Sequence, residues 1–185
     1  MGWFKTVSDA IYYGLCAAFN LNPASEDAMK RFVPAYIENA TNAQAPRDMD
    51  ICYFAVSTAM DEGLNYIQTQ NVIVKGVPKV QIKKTVPVSV LFTFYGPNAD
   101  DDAEFFWERV QWDSGAGSAR AIWRKSNIAP IGKPDRPVTL FEVEGTYHRR
   151  RSDVRMNLAY LAVTESEAGY VDSAPEFMIE TNQNN

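Results

Sequence analysis

Val86-Pro-Val-Ser-Val-Leu-Phe-Thr-Phe-Tyr95, then Gly96-Pro97-Asn98, then Ala99-Asp-Asp-Asp-Ala-Glu-Phe-Phe-Trp-Glu-Arg-Val-Gln-Trp112 is the stretch that decides the fold class. Val86, Val88, Val90, Phe92 and Phe94 alternate with Pro87, Ser89, Leu91, Thr93 and Tyr95, the period of a strand with one strongly buried face. Beyond Gly96-Pro97, the residues Ala103, Phe106, Trp107 and Val110 recur at i, i+3, i+4 and i+7, one face of a helix. A helix that returns at once onto the strand before it makes a two-layer unit, because each element covers the apolar side of the other. Phe106, Trp107 and Val110 are therefore expected to pack on Val88, Val90 and Phe92.

The same patterns extend outward from this unit. Trp3, Val7, Ala10, Ile11, Gly14, Leu15 and Ala18 form one helical stripe, so a first helix is expected from about Phe4 to Phe19. A second helix starts after Asn22-Pro23, with Ser25 as its cap and Glu26 and Asp27 in its first turn, and Pro34 stops or bends it. Glu38 to Asp50 read as a loop into a strand from Ile51 to Thr58. Gly76 and Pro78 mark a turn after Tyr66 to Lys75. Val80, Ile82, Val86 and Val88 share one parity, so a strand from Lys79 to Tyr95 projects beyond an average sheet as a hairpin. Ser114 to Ser118 interrupts the next helix, Ala119 to Ser126 resumes it, and Asn127 closes it. Strands at Val138 to Val143 and Val154 to Val163 follow, joined through Glu144-Gly145 and a basic run, with a short strand at Glu176 to Thr181 and a mobile tail after it.

One domain with a sizeable core suits 185 residues that are 46% hydrophobic. The expectation is a single α+β domain, a mixed and mainly antiparallel sheet with helices packed on one face. A helical segment would occupy 1–46, the sheet-and-helix core 47–171 and a tail 172–185. With 18 Lys and Arg against 23 Asp and Glu, the net charge of −5 argues against sequence-independent binding of nucleic acid. Cys16 and Cys52 lie among apolar neighbours and read as reduced, buried thiols. No run approaches a membrane span and no secretory leader is evident, so the chain is expected to stay where it is made.

Chemistry has little to work with. His148 is the only histidine, which removes multi-histidine metal sites, and Arg149, Arg150 and Arg151 beside it disfavour its charged form; it reads as a solvated strand residue. Gly115-Ala116-Gly117 lacks the third glycine and the preceding strand of a phosphate loop. Asp100, Asp101, Asp102 and Glu104 have the chemistry of a hard-cation site, yet the first turn of a helix explains them better, since carboxylates there offset the macrodipole. Strand alternation sends Arg149 and Arg151 one way and Arg150 the other. Contact with a neighbour's carboxylates, contact with nucleic acid and simple solvation all stay open for this run. The candidate interface residues are Arg149 and Arg151, with Asp100, Asp101 and Asp102 as their partners across a subunit boundary. No catalytic residue, cofactor or metal is assigned.

The order of elements in the second half carries a resemblance. Val86 to Gly96 is extended, Ala99 to Val110 is helical, Ser126-Asn-Ile-Ala-Pro-Ile-Gly132 follows, and Gly145-Thr-Tyr-His-Arg-Arg-Arg-Ser-Asp153 leads into Met156-Asn-Leu-Ala-Tyr160. Over roughly Arg47 to Val171 this resembles the neck and tail terminator proteins of tailed bacteriophages. The resemblance implies a small non-enzymatic α/β subunit, a virion protein assembled in the host cytoplasm, that closes into a ring, commonly a hexamer, on the head-proximal end of the tail. Such a ring ends tube growth and meets the head connector, so the implied partners are further copies of the chain, the tail tube protein and the neck proteins. Phage DNA would pass through an acidic lumen without specific binding. The alternatives are a connector or tail completion subunit at another level of the neck and, in a different class, a small ligand-binding or hydrolytic domain with a site near Gly115.

Overall fold

The computed structural model describes residues 3–35, 48–59, 66–144 and 147–167. Eleven elements occur among them, in the order α1 (Trp3–Ala18), α2 (Glu26–Arg31), β1 (Phe32–Pro34), β2 (Ile51–Thr58), β3 (Ile67–Val74), β4 (Val77–Tyr95), α3 (Ala99–Trp112), α4 (Ala119–Lys125), β5 (Ile128–Pro130), β6 (Val138–Glu144) and β7 (Tyr147–Glu167). The result is a single α+β domain with one mixed, mainly antiparallel sheet. Most of the Glu38–Asp50 loop and the short strand at Glu176–Thr181 lie outside the described residues.

The sheet is built on two long strands. β4 and β7 pair antiparallel from Lys79↔Glu167 to Tyr95↔Arg151. At a rise of about 3.3 Å per residue, that ribbon is roughly 55 Å long, well beyond an ordinary strand. Shorter strands flank it in pieces. β2 pairs with the last eight residues of β4, and β1 lies parallel to β2. β3 pairs with the first eight residues of β4, β6 with the start of β7, and β5 with its middle. Two ends of the ribbon therefore extend past the core: a three-stranded arm of β3 with the adjoining parts of β4 and β7, and the β6–β7 hairpin.

Even-numbered positions of β4 and β7 point to the helices. Val88, Val90, Phe92, Phe94, Val154, Met156 and Leu158 are buried there with Phe106 and Val110 of α3, Val7, Ile11 and Leu15 of α1, and Trp123 of α4. Phe106 sits 4.6 Å from Phe92, ring centre to ring centre. Trp107 differs from the expectation. It lies at the margin of the core, donating its indole N–H to the Pro134 carbonyl at 3.1 Å, with Arg136 over its ring. Cys16 and Cys52 are both buried free thiols.

Several local readings change. The turn at Gly76 is a two-residue connection, Lys75-Gly76, with both residues at positive φ (53° and 79°), the type I′ geometry that suits strand twist. Pro78 belongs to β4 rather than to the turn. It precedes the first β7 pair at Lys79, so its missing N–H breaks no bond on that side. The basic run lies inside β7 instead of in the connection before it, which lengthens that strand by seven residues, from Val154 back to Tyr147. β1 and β5 are additions. Each has three residues, formed by pairing with a neighbour and too short to show a period.

Candidate functional site

The arginine run is split between the two faces of the sheet, and the acidic turn lies on the helix side. Arg149 and Arg151 point away from the helices, while Arg150, on the helix side, forms an ion pair with Asp100 of α3. Asp100 also accepts from the Thr139 hydroxyl at 2.9 Å, so the first turn of α3 is tied to both strands of the β6–β7 hairpin. Asp102 pairs instead with Arg31 at the end of α2, at 2.7 Å. Asp101 alone of the three is exposed, with no ion pair among the described residues. The structure thus brings Asp100 and Asp102 to Arg150 and Arg31 of their own chain, and it does not bring them to Arg149 or Arg151.

On the helix-free face a network surrounds Tyr95. Its hydroxyl donates to Glu142 at 3.0 Å, its ring packs edge-on to Tyr53, and the Arg149 guanidinium stacks over it at 4.2 Å. Glu142 also pairs with Arg151, which reaches Asp153 at 3.1 Å with its other terminal nitrogen. The spacing follows from the strands: Tyr95 faces Arg151 across the β4–β7 ladder, and Glu142 faces Arg149 across β6–β7. Burial and the bond to Glu142 push the Tyr95 phenol up, so it stays a neutral donor. Beside the network a shallow cavity of about 280 Å³ is lined by Asp135, Arg136, Asp153 and Arg155, two charges of each sign. Charge is balanced within the chain here, and the arrangement offers positioning rather than a nucleophile or a base.

Tyr95 and Glu142 escaped sequence reasoning, although their signal was present. A hairpin register that opposes Glu142 to Arg149 would have found them, but it required placing the basic run in the strand. His148 is exposed on β7, as a solvated strand residue. Gly115 and Gly117 lead to Ser118, whose hydroxyl accepts from Ala121 N–H as the cap of α4. No group of three or more His, Cys, Asp or Glu among the described residues is placed to hold a metal ion, and no described helix is long and apolar enough to cross a membrane.

Asp102 carries a pH dependence of defined sign. Burial outweighs the help of Arg31 and holds its carboxyl above the ordinary 3.8. A raised acid favours the folded state below pH 3.8 and loses that contribution as pH rises through the folded value. The stability difference between wild type and Asp102→Asn, from urea unfolding, should therefore shift against wild type as pH rises above 3.8. A difference that moved the other way would mean that Arg31 dominates the site.

Compared with curated proteins, the sequence has no match. A family model described as phage neck terminator protein matches residues 24–185, a longer stretch than the 47–171 that carries the resemblance in sequence order. It takes in α2 and every strand of the sheet, including both projecting ends and the Tyr95 network. Matched over all but its first 23 residues, this long-stranded α+β protein belongs to the phage neck terminator family and is a structural neck or tail protein of a phage.

Proposed function

We propose that the chain assembles as a closed homo-oligomeric ring, a hexamer, at the head-proximal end of the phage tail, where it ends tube growth and joins the tail to the head connector. The observation that carries this reading is the placement of the open strand edges. β3 lies outside β4 at one end of the ribbon, and β6 lies outside β7 at the other. Among the described residues these are two different unpaired edges on opposite sides of one sheet, which suit head-to-tail contacts, the kind that generate rings. β3, Ile67–Val74, carries no charge and no proline, so it lacks the usual devices that keep an edge unpaired.

In this reading the work is mechanical and interfacial, the tail tube and neck proteins are the partners, and DNA slides through a lumen whose acidity fits the net charge of −5. The ring is a virion part assembled in the host cytoplasm. Arg149 and Arg151 belong to the face of the β6–β7 end offered to a neighbour or neck partner. Arg149 is the informative position, because reversing Arg151 also breaks its pairing with Glu142 and Asp153. Arg149→Gln, which removes the charge without setting a second carboxylate opposite Glu142, should lower assembly and leave the circular dichroism spectrum intact.

The direct experiment is cryo-electron microscopy of the virion neck. A ring of this chain between tail tube and connector is expected. A single copy per particle, or a position outside the neck, would overturn the reading, and a ring one level higher would make the chain a connector or tail completion subunit.

A further inference from the structure

The helix-covered face of the sheet does not end where the helices end. Register places Ile67 opposite Lys84, Thr69 opposite Ile82 and Ile73 opposite Pro78, all on the side shared with the buried Val88 and Val90. Along the arm this face stands open. Ile73 is 78% exposed, Ile67 59% and Ile82 37%. Lys84 is its one charged side chain among the described residues, with Lys75 in the turn at its tip. Thr69, Asn71, Thr164 and Ser166 share the face, so it is apolar at three exposed isoleucines, polar between them and cationic at Lys84, and a helix with aromatic and anionic side chains complements it.

The chain has such a surface elsewhere. The inner stripe of α3 is buried through Ala99, Ala103, Phe106 and Val110. Its outer stripe presents Asp101, Glu104, Phe105, Glu108 and Trp112, at helical spacing and exposed, Trp112 by 70%. Phe105, Glu108 and Trp112 border an open cavity of about 340 Å³ together with Arg109 and Asp113. The Arg109 guanidinium lies over the Phe105 ring at 5.1 Å and pairs with Asp113 at 3.7 Å, so its charge is met within the helix and Glu104 and Glu108 leave the stripe net negative. The lengths also agree. Lys84 to Pro78, the partner of Ile73, spans about 20 Å along the strand, and Asp101 to Trp112 spans about 16 Å along the helix.

We propose that the open face of the arm, Ile67, Ile73 and Ile82 with Lys84, seats on the outer stripe of α3 in a second copy of this chain. The proposal rests on the ring reading and specifies one contact within it. α3 is then held between two sheets, its own on the inner stripe and a neighbour's arm on the outer. Because arm and helix are different surfaces, each copy gives one and receives one, so the contact propagates head to tail until the ring closes. Lys84 falls near Glu104 and Glu108, and the isoleucines cover Phe105 and Trp112.

The test starts from necks isolated with the full chain in place. A zero-length carbodiimide, which joins lysine amines to adjacent carboxylates, should link Lys84 of one copy to Glu104 or Glu108 of another. Two variants follow, Ile73→Asp with Lys84→Glu on the arm, and Glu104→Lys with Glu108→Lys on α3. Each should lower the ring population at least tenfold by native mass spectrometry or by incorporation into virions, with an unchanged melting profile. Mixed together, the two variants should partly recover rings, because the intact arm of one meets the intact α3 of the other and the reversed charge of the altered arm meets the reversed charges of the altered helix. Rings that persist in either variant, or links from Lys84 to Glu176 or Glu180 of its own chain instead, would overturn this contact and leave the ring reading standing. A single copy per neck would overturn both.

Discussion

Trp123→Ala should lower the free energy of unfolding by about 3–5 kcal/mol, the usual cost of deleting a large buried aromatic side chain. Trp123 is fully buried on a helix of only seven residues, so α4 is anchored chiefly by this one side chain. The indole lies in a notch made by Gly14 of α1. A methyl group on Gly14 would stand 2.1 Å from the indole nitrogen and 2.6 Å from Cε2, far inside contact distance. Gly14→Ala should thus cost about 1–3 kcal/mol by overpacking, despite the roughly 1 kcal/mol that alanine gains over glycine in a helix. The two changes are strongly coupled. Once Trp123 is alanine, the space above residue 14 is open, and Gly14→Ala should become neutral or stabilising in that background. Urea unfolding of the four proteins, followed by circular dichroism at 222 nm, measures the cycle. Additive losses would mean that Gly14 is kept for some reason other than the indole above it.

What the sequence disclosed follows what each element owes to its own residues. α1, α3 and β2 carry complete periods, seven apolar positions in α1 alone, and their bounds agree with expectation to within a residue or two. The length of β4 was legible because its parity runs unbroken across Lys83-Lys84. Even Pro87 fits. It falls at the seam where the β2 ladder ends at Thr58↔Val88 and the β3 ladder begins at Ile67↔Lys84, so its missing N–H interrupts neither.

Elements created by a partner were not legible. Phe32–Pro34 is a strand because β2 lies beside it, and Ile128–Pro130 because β7 does. The arginine run misled for a related reason: three consecutive charges look like a connection until Asp100 and Glu142 are seen to pair with Arg150 and Arg151, and Tyr95 to stack on Arg149, from the two faces. Their alternation was correct, with Arg150 opposed to Arg149 and Arg151, but a period does not name partners. The acidic turn shows the same limit. Asp100 and Asp102 are separated by two residues of helix, and that rotation sends one to the hairpin and the other to α2.

The turn that ends β4 is the second point where a small change should have a large effect. Gly96 has φ +117°, a conformation that side-chain-bearing residues rarely adopt, and Asp50 closes over it. One Asp50 oxygen accepts from the Asn98 backbone N–H and the other from the Asn98 side-chain amide, both at 2.9 Å, so the start of β2 fixes the start of α3. A methyl group on Gly96 would lie 2.6 Å from the Met49 carbonyl oxygen and 2.7 Å from the Asp50 Cα, backbone atoms that cannot swing aside. Gly96→Ala should therefore combine about 1–3 kcal/mol of backbone strain with about 1–3 kcal/mol of overpacking. Gly76→Ala is the internal control. It too has a positive φ, +79°, but nothing stands within 4 Å of the added carbon, so it should cost only about 1–2 kcal/mol. The variants should also differ in where the damage falls. Gly96→Ala displaces α3 from Asp50 and should lower ring assembly even at temperatures where the chain stays folded, whereas Gly76→Ala strains the tip of the arm beside Ile73 and should lower assembly only through the arm contact. Equal losses from the two substitutions in chemical unfolding would remove the packing half of this account and leave strain alone.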